Sequence, residues 1–140
     1  MASEDLSLAL KWIAKNGKEY NLNKNKVAIS GGSAGAMTCL HAAFVVKRQP
    51  VKINAVVNYW GRLEEFENLR NTQTPILTLH GDLDKSVSVE YSRRLYKVLN
   101  AKGNKNNVYI EMKGKGHAQY NYVERTYCDK IIEFLNKQFN

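Results

Sequence analysis

A chain of 140 residues and 16.0 kDa is long enough to bury a core, and one compact domain spanning 1–140 is the expectation. With 44% hydrophobic and 24% charged residues, the composition excludes a disordered tract, and no apolar run approaches the roughly 18 residues of a membrane span. The net charge of +8 invites nucleic acid, yet 15 Lys against 6 Arg, scattered along the chain, describe a solvated surface rather than one that reads phosphates or bases.

The chain opens Met1-Ala2-Ser3-Glu4-Asp5, with acidic residues where a secretory signal would be basic. That start reads as an internal boundary of a longer parent and leaves the compartment open, with a cytoplasmic one favoured. Residues 4–17 read as a helix, because Leu6, Leu10, Ile13 and Gly17 share one face with Ala9 and Trp12 beside them. Ser3 is its expected cap, and Glu4 and Asp5 suit the positive end of its dipole. A polar turn over 21–26 leads to the short apolar strand Val27-Ala28-Ile29-Ser30. Gly31 to Gly35 turn the chain, and Ala36 to Val46 return as a helix of small and apolar residues.

Further strands are expected at 53–60, 75–80 and 108–112. Between the last two, Ser88 caps a helix carried by Tyr91, Leu95, Val98 and Leu99, with Gly103 just past its end. Val123, Tyr127, Ile131, Phe134 and Leu135 form the stripe of a closing helix. Strands alternating with helices predict an α/β fold, a mostly parallel sheet flanked by helices. Reactive groups in such sheets gather in the loops beyond the carboxyl ends of strands. Cys39 and Cys128 show no metal-ligand spacing and are expected as free, partly buried thiols.

Three of those loops carry chemistry. Gly31-Gly32-Ser33-Ala34-Gly35 is a G-x-S-x-G sequence joining a strand directly to a helix. A sharp turn of that kind strains its serine and lifts the hydroxyl above the sheet, so small residues are needed two before and two after. The Ala34 N–H, at the helix start, is placed to face a developing oxyanion. The second loop, after the strand at 75–80, contains Asp82 and Asp84, either of which is a candidate acid. The third, Gly114-Lys115-Gly116-His117, follows the strand at 108–112. Serine, acid and histidine in that order allow His117 to take the Ser33 proton while a carboxylate orients the imidazole. His80 is expected to pack and hydrogen-bond at its strand end, and His41, eight residues past Ser33, to lie on the surface or in packing. Tyr59, Trp60 and Tyr120 are candidates either for a substrate pocket or for the core.

Together the three segments resemble the α/β-hydrolase superfamily, closest to its esterase/lipase and dienelactone-hydrolase-like branches. The resemblance places the triad acid of an H-G-x-x-D-x-x-V pattern on Asp84 and the base on His117, with Ser33 as nucleophile and Ala34 as one oxyanion-hole donor. It implies a cofactor-independent, metal-free carboxylic-ester hydrolase acting through an acyl-enzyme on small acyl esters. A peptidase like the prolyl oligopeptidase family, which shares the triad order, is the alternative enzyme. A catalytically incomplete domain serving as a structural or association module is the non-enzymatic one.

Where many relatives carry proline after the valine of that pattern, this chain has Ser88. The resemblance covers the later part of the family fold and lacks its N-terminal strands, one loop of which supplies the second oxyanion donor. The strand at 27–30 is therefore expected as an exposed apolar edge. That predicts self-association or pairing with a missing N-terminal segment, with neither nucleic acid nor membrane as partner. The short 61–74 connection leaves little room for a cap, so an open substrate site is expected.

Overall fold

A computed structural model describes residues 2–140 as a four-stranded, wholly parallel sheet with helices on both faces. In chain order the elements are α1 (Ala2–Asn16), β1 (Ala28–Gly32), α2 (Ala34–Leu40), β2 (Ala55–Tyr59), β3 (Ile76–Gly81), α3 (Glu90–Ala101), β4 (Asn107–Met112) and α4 (Tyr120–Phe139). The strands lie side by side in sequence order, so β1 and β4 are the two edges.

Alternation along the strands assigns the two faces. Ile29, Val56 and Ile76 point to one side, where α1, α2 and α3 contribute Leu10, Cys39, Leu40, Leu95 and Leu99. Ala55, Val57, Leu77 and Leu79 point to the other, covered by α4 through Val123 and Phe134. Residues two apart on a strand share a face, and the central strands β2 and β3 are buried on both. That is why their sequences read as continuous apolar runs rather than alternating ones.

Several local expectations need correction. Ser3 does not cap α1; it lies inside the helix, is buried, and its carbonyl accepts the Ser7 hydroxyl at 2.9 Å. Trp12 faces outward, 47% exposed and 5.1 Å from the Tyr20 ring, because Leu10 and Gly17 take the inner face. The helix expected over 36–46 starts earlier, at Ala34, and its last turn, His41–Val45, widens to π geometry. Ser88 sits two residues ahead of α3, its hydroxyl accepting the Glu90 N–H at 3.3 Å, with Val89 at the cap position. No long helix joins β2 to β3. A segment with one 3-10 turn, Phe66–Asn68, makes the parallel crossover by burying Leu63 and Phe66 against the first face.

The edge at β1 is real, since β1 pairs only with β2. Its apolar side chains are not the exposed part, however: Ile29 is buried and Val27 and Ala28 are half-buried. What the edge presents is unpaired backbone. Cys39 is buried, and burial pushes its thiol up to about 11, whereas Cys128 is exposed; both are free.

Candidate active site

All three candidate loops open at the carboxyl ends of β1, β3 and β4. The strand β1 runs through Gly32, and Ser33 follows at φ 54° and ψ −120°, a left-handed backbone that a non-glycine residue adopts only under constraint. The constraint is visible. The Ser33 N–H donates to the Tyr59 carbonyl at 3.0 Å, and its carbonyl accepts the Met37 N–H at 3.0 Å. The strand is thus tied to β2 on one side of the serine and to the first turn of α2 on the other. Gly31 is required: a Cβ there would stand 2.4 Å from the Gly35 carbonyl carbon. Gly35 is not required in the same sense, because a Cβ at that position meets nothing within 4 Å. The expected need for a small residue two after the serine is therefore a need for backbone approach by Gly31.

Asp84 is reached from β3 by a turn that closes on its own side chain. Its Oδ1 accepts the Ser86 and Val87 N–H groups at 2.8 and 2.9 Å. Its Oδ2 faces His117 Nδ1 at 2.7 Å, and the carboxylate is fully buried. Burial pushes this carboxyl up, but the hydrogen bonds from His117, Val87 and Ser86 outweigh it and hold the group below its ordinary value. An ionised carboxylate only accepts, so His117 carries its proton on Nδ1. Its Nε2, with a free lone pair, lies 3.0 Å from Ser33 Oγ. Ser33, His117 and Asp84 therefore form one continuous hydrogen-bonded line from elements far apart in sequence.

Asp82, the competing acid, does a different job. Its Oδ1 accepts the Gly114 N–H at 2.7 Å and its Oδ2 lies 3.6 Å from Lys113 Nζ, so it braces the loop that presents His117. A Cβ on Gly81 would stand 2.2 Å from the Lys115 carbonyl oxygen, and Leu83 N–H donates to that same carbonyl at 2.9 Å. The two loops are packed backbone to backbone.

His80 is buried at the end of β3, as expected, and His41 lies apart in the π turn, 3.8 Å from Glu65. Of the aromatic candidates, Trp60 is fully buried and forms a wall, its ring 6.2 Å from His117 and 4.8 Å from Tyr120. Its Nε1 has no partner among the described residues. Tyr59 is half-buried beside it, and Tyr120 is 52% exposed. The Tyr120 hydroxyl stands over Gly32, where a Cβ would come within 1.9 Å of it, which puts that phenol next to the serine turn. Among the described residues, four non-glycine ones have left-handed φ, and three of them, Ser33, Trp60 and Ala118, are at this site. Backbone strain is concentrated around the Ser33–His117–Asp84 line.

What sequence reasoning missed is the support of Asp84 by His80 and the approach of Tyr120 to Gly32. Both depend on α3 and α4 lying over the strand ends, and no local pattern announces that.

The sequence profile of a family described as phospholipase/carboxylesterase matches residues 5–138. No curated protein matches the chain. Among solved structures, Zea mays acyl-protein thioesterase 2 is similar at 21% identity and TM-score 0.73, over 95% of this chain and 66% of that one. A truncated carbohydrate esterase from gut microbiota superposes with TM-score 0.81 at 19% identity, over 97% of this chain and 67% of its own. Thermogutta terrifontis esterase 2, phosphonylated by cyclosarin, gives TM-score 0.79 at 19% identity, over 96% and 63%. At these identities the likeness is one of fold, and the chain spans about two thirds of the length of each structure.

Proposed function

Because the chain belongs to the phospholipase/carboxylesterase family of the α/β-hydrolase fold, we propose that it is a serine hydrolase cleaving carboxylic esters through an acyl-enzyme. The observation that carries this reading is the Ser33–His117–Asp84 line, with contacts of 3.0 and 2.7 Å and the base in the correct tautomer. Ser33 Oγ attacks the ester carbonyl carbon as His117 Nε2 takes its proton, and the carbonyl oxygen becomes an oxyanion. Asp84 stabilises the imidazolium that forms. The C–O bond to the alcohol then breaks, and His117 returns the proton to the departing oxygen. Water repeats the sequence on the acyl-Ser33 ester and releases the acid.

Ala34 is the first residue of α2, and the N–H groups of a first helical turn have no acceptor within the helix. It supplies one donor to the oxyanion. The family resemblance implies a second donor from a loop of an N-terminal strand. Losing one such donor costs on the order of 10²–10³ in rate. Small acyl esters suit an uncapped site whose exposed neighbour is Tyr120.

The test is intact-mass analysis after exposure to a fluorophosphonate, the reactivity for which a structural neighbour phosphonylated by cyclosarin is the precedent. One adduct on wild type and none on Ser33→Ala is the expected result. No adduct on either protein would refute the hydrolase reading for these 140 residues.

The open edge of β1 favours a second reading, in which the domain associates through that edge and is inactive alone. Light scattering over a concentration series is expected to show self-association. A monomer throughout would remove this reading.

A further inference from the structure

We propose that His80 is a positioning residue for the reaction: its Nε2–H, fixed by Val87 and Ser92, holds the Asp84 carboxylate in line with His117. The inference rests on the serine-hydrolase reading above and extends it to a group outside the triad.

His80 is fully buried at the end of β3, and a buried imidazole needs partners of the right sense at both nitrogens. Its Nε2 lies 2.9 Å from the Val87 carbonyl oxygen. A carbonyl only accepts, so the proton is on Nε2. Nδ1 is then the acceptor, and the buried Ser92 hydroxyl, 2.6 Å away on α3, donates to it. No freedom is left: reversing the tautomer would aim a lone pair at the Val87 carbonyl.

The same Nε2 lies 3.2 Å from Asp84 Oδ2, the oxygen that also receives His117 Nδ1–H. The His80 N–H, donated to the Val87 carbonyl, thus also lies against the triad carboxylate. Asp84 ends with three hydrogen-bond donors, Ser86 and Val87 on Oδ1 and His117 on Oδ2, and the His80 N–H alongside Oδ2 at 3.2 Å. Val87 closes a loop of constraint, since its N–H binds Asp84 while its carbonyl binds His80. The turn that carries the acid is thereby anchored to β3 and, through Ser92, to α3.

Charge supports the same role. Burial pushes the affinity of His80 for a second proton down, outweighing the opposing pull of the Val87 carbonyl and Asp84, and the His117 charge lowers it further. When His117 becomes an imidazolium during turnover, His80 stays neutral, and the Asp84 charge remains committed to His117.

The test uses His80→Leu, His80→Gln and Ser92→Ala in the whole chain. Turnover of p-nitrophenyl acetate is measured per site titrated with the fluorophosphonate, and the downfield proton resonance of His117 Nδ1–H is recorded in parallel. For His80→Leu, kcat is expected to fall about tenfold to a hundredfold with KM nearly unchanged, the scale of misplacing a catalytic group by about 1 Å. The downfield resonance should broaden or vanish. His80→Gln, whose amide can return an N–H near the lost one, should recover most of both. Ser92→Ala should lower kcat several-fold, and it decides the matter if the leucine variant does not fold.

A purely structural histidine would lower the yield of folded protein but leave turnover per titrated site and the His117 resonance as in wild type. That outcome for His80→Leu, or for Ser92→Ala in its place, would overturn the proposal. If wild type takes no fluorophosphonate, the hydrolase reading fails first. The His117 resonance then still reports whether His80 holds Asp84.

Discussion

The two halves of the site are built on different terms. The half that holds acid and base lies between β3 and β4, inside a pair of loops that brace one another. Asp84 is buried under three donors with His80 beside it, Asp82 ties down Gly114, and Gly81 lets the Lys115 carbonyl come close. The half that holds the nucleophile stands on β1, a strand with one neighbour, in a strained turn fixed by Tyr59 and Met37. Orientation of the imidazole is thus complete within these residues. In the proposed mechanism, stabilisation of the oxyanion has only the Ala34 N–H assigned to it among these residues. A triad can be self-contained while the machinery around its serine is not.

The sharpest way to break the first half is Asp84→Asn. The amide oxygen can still accept from Ser86 and Val87, but its NH₂ would then face two imidazole N–H groups. His117 must move its proton to Nε2, where it points at Ser33 and cannot accept. A loss of about 10⁴-fold in kcat is expected, with the fold retained, as for the equivalent change in serine proteases. Steady-state turnover with circular dichroism as the folding control checks it. A drop below tenfold would mean that the buried carboxylate is not the orienting acid.

The nucleophile half is tested by a pair of glycine substitutions that look alike in sequence. A methyl group on Gly31 must displace the backbone of Gly35 and Ala36, contacts of 2.4–2.7 Å, whereas one on Gly35 enters open space. Gly31→Ala should destabilise by about 1–3 kcal/mol, as overpacking against backbone does, and slow labelling of Ser33. Gly35→Ala, within α2, should be neutral or stabilising by up to about 1 kcal/mol through helix propensity and chain entropy. Thermal melts of the two variants check both signs. Equal destabilisation would show that the turn is held by something other than the approach of Gly31.

How much of this the sequence announces follows the same division. The central strands, Ala55–Tyr59 and Ile76–Gly81, are legible because burial on two faces demands nearly unbroken apolar runs, while the half-buried edges β1 and β4 are legible from their short β-branched stretches between turn residues. The G-x-S-x-G turn and the histidine after Gly116 are legible because their chemistry is local. The choice between Asp82 and Asp84 rests on resemblance to a family; in the structure Asp84 closes a turn on its own carboxylate and meets His117, while Asp82 accepts the Gly114 N–H. The crossover from β2 to β3, read only as a short connection, is an irregular chain in which Leu63 and Phe66 cover that strip of sheet. Ser92 and Tyr120 could not be connected to the site from sequence, because α3 and α4 bring them in, and the contact of His80 with Asp84 depends on how the turn after β3 folds back.

The smallest expected effect concerns the outer brace of the acid–base half. Glu111 lies opposite His80 in the β3–β4 register and receives Arg93 through two contacts of 2.8 Å, with Tyr109 also at 2.8 Å and Lys113 at 2.6 Å. Arg93 first, then Lys113 and Tyr109, hold its carboxyl far below the ordinary value of 4.5. A carboxyl depressed on folding adds stability that is present above its unfolded value and lost as pH falls through the folded one. Asp84 is depressed in the same direction from 3.8, so both contribute in full near neutrality and lose that contribution as pH falls below about 4.5. Glu111→Gln should therefore lower Tm near neutral pH, and only modestly, because exposed Lys113 and partly exposed Arg93 are screened by solvent. By the same amount it should flatten the fall in Tm between about pH 5 and pH 3. Melting curves across that range decide between the two carboxylates. A slope unchanged in Glu111→Gln would assign the acid sensitivity to Asp84, and with it to the line that holds His117.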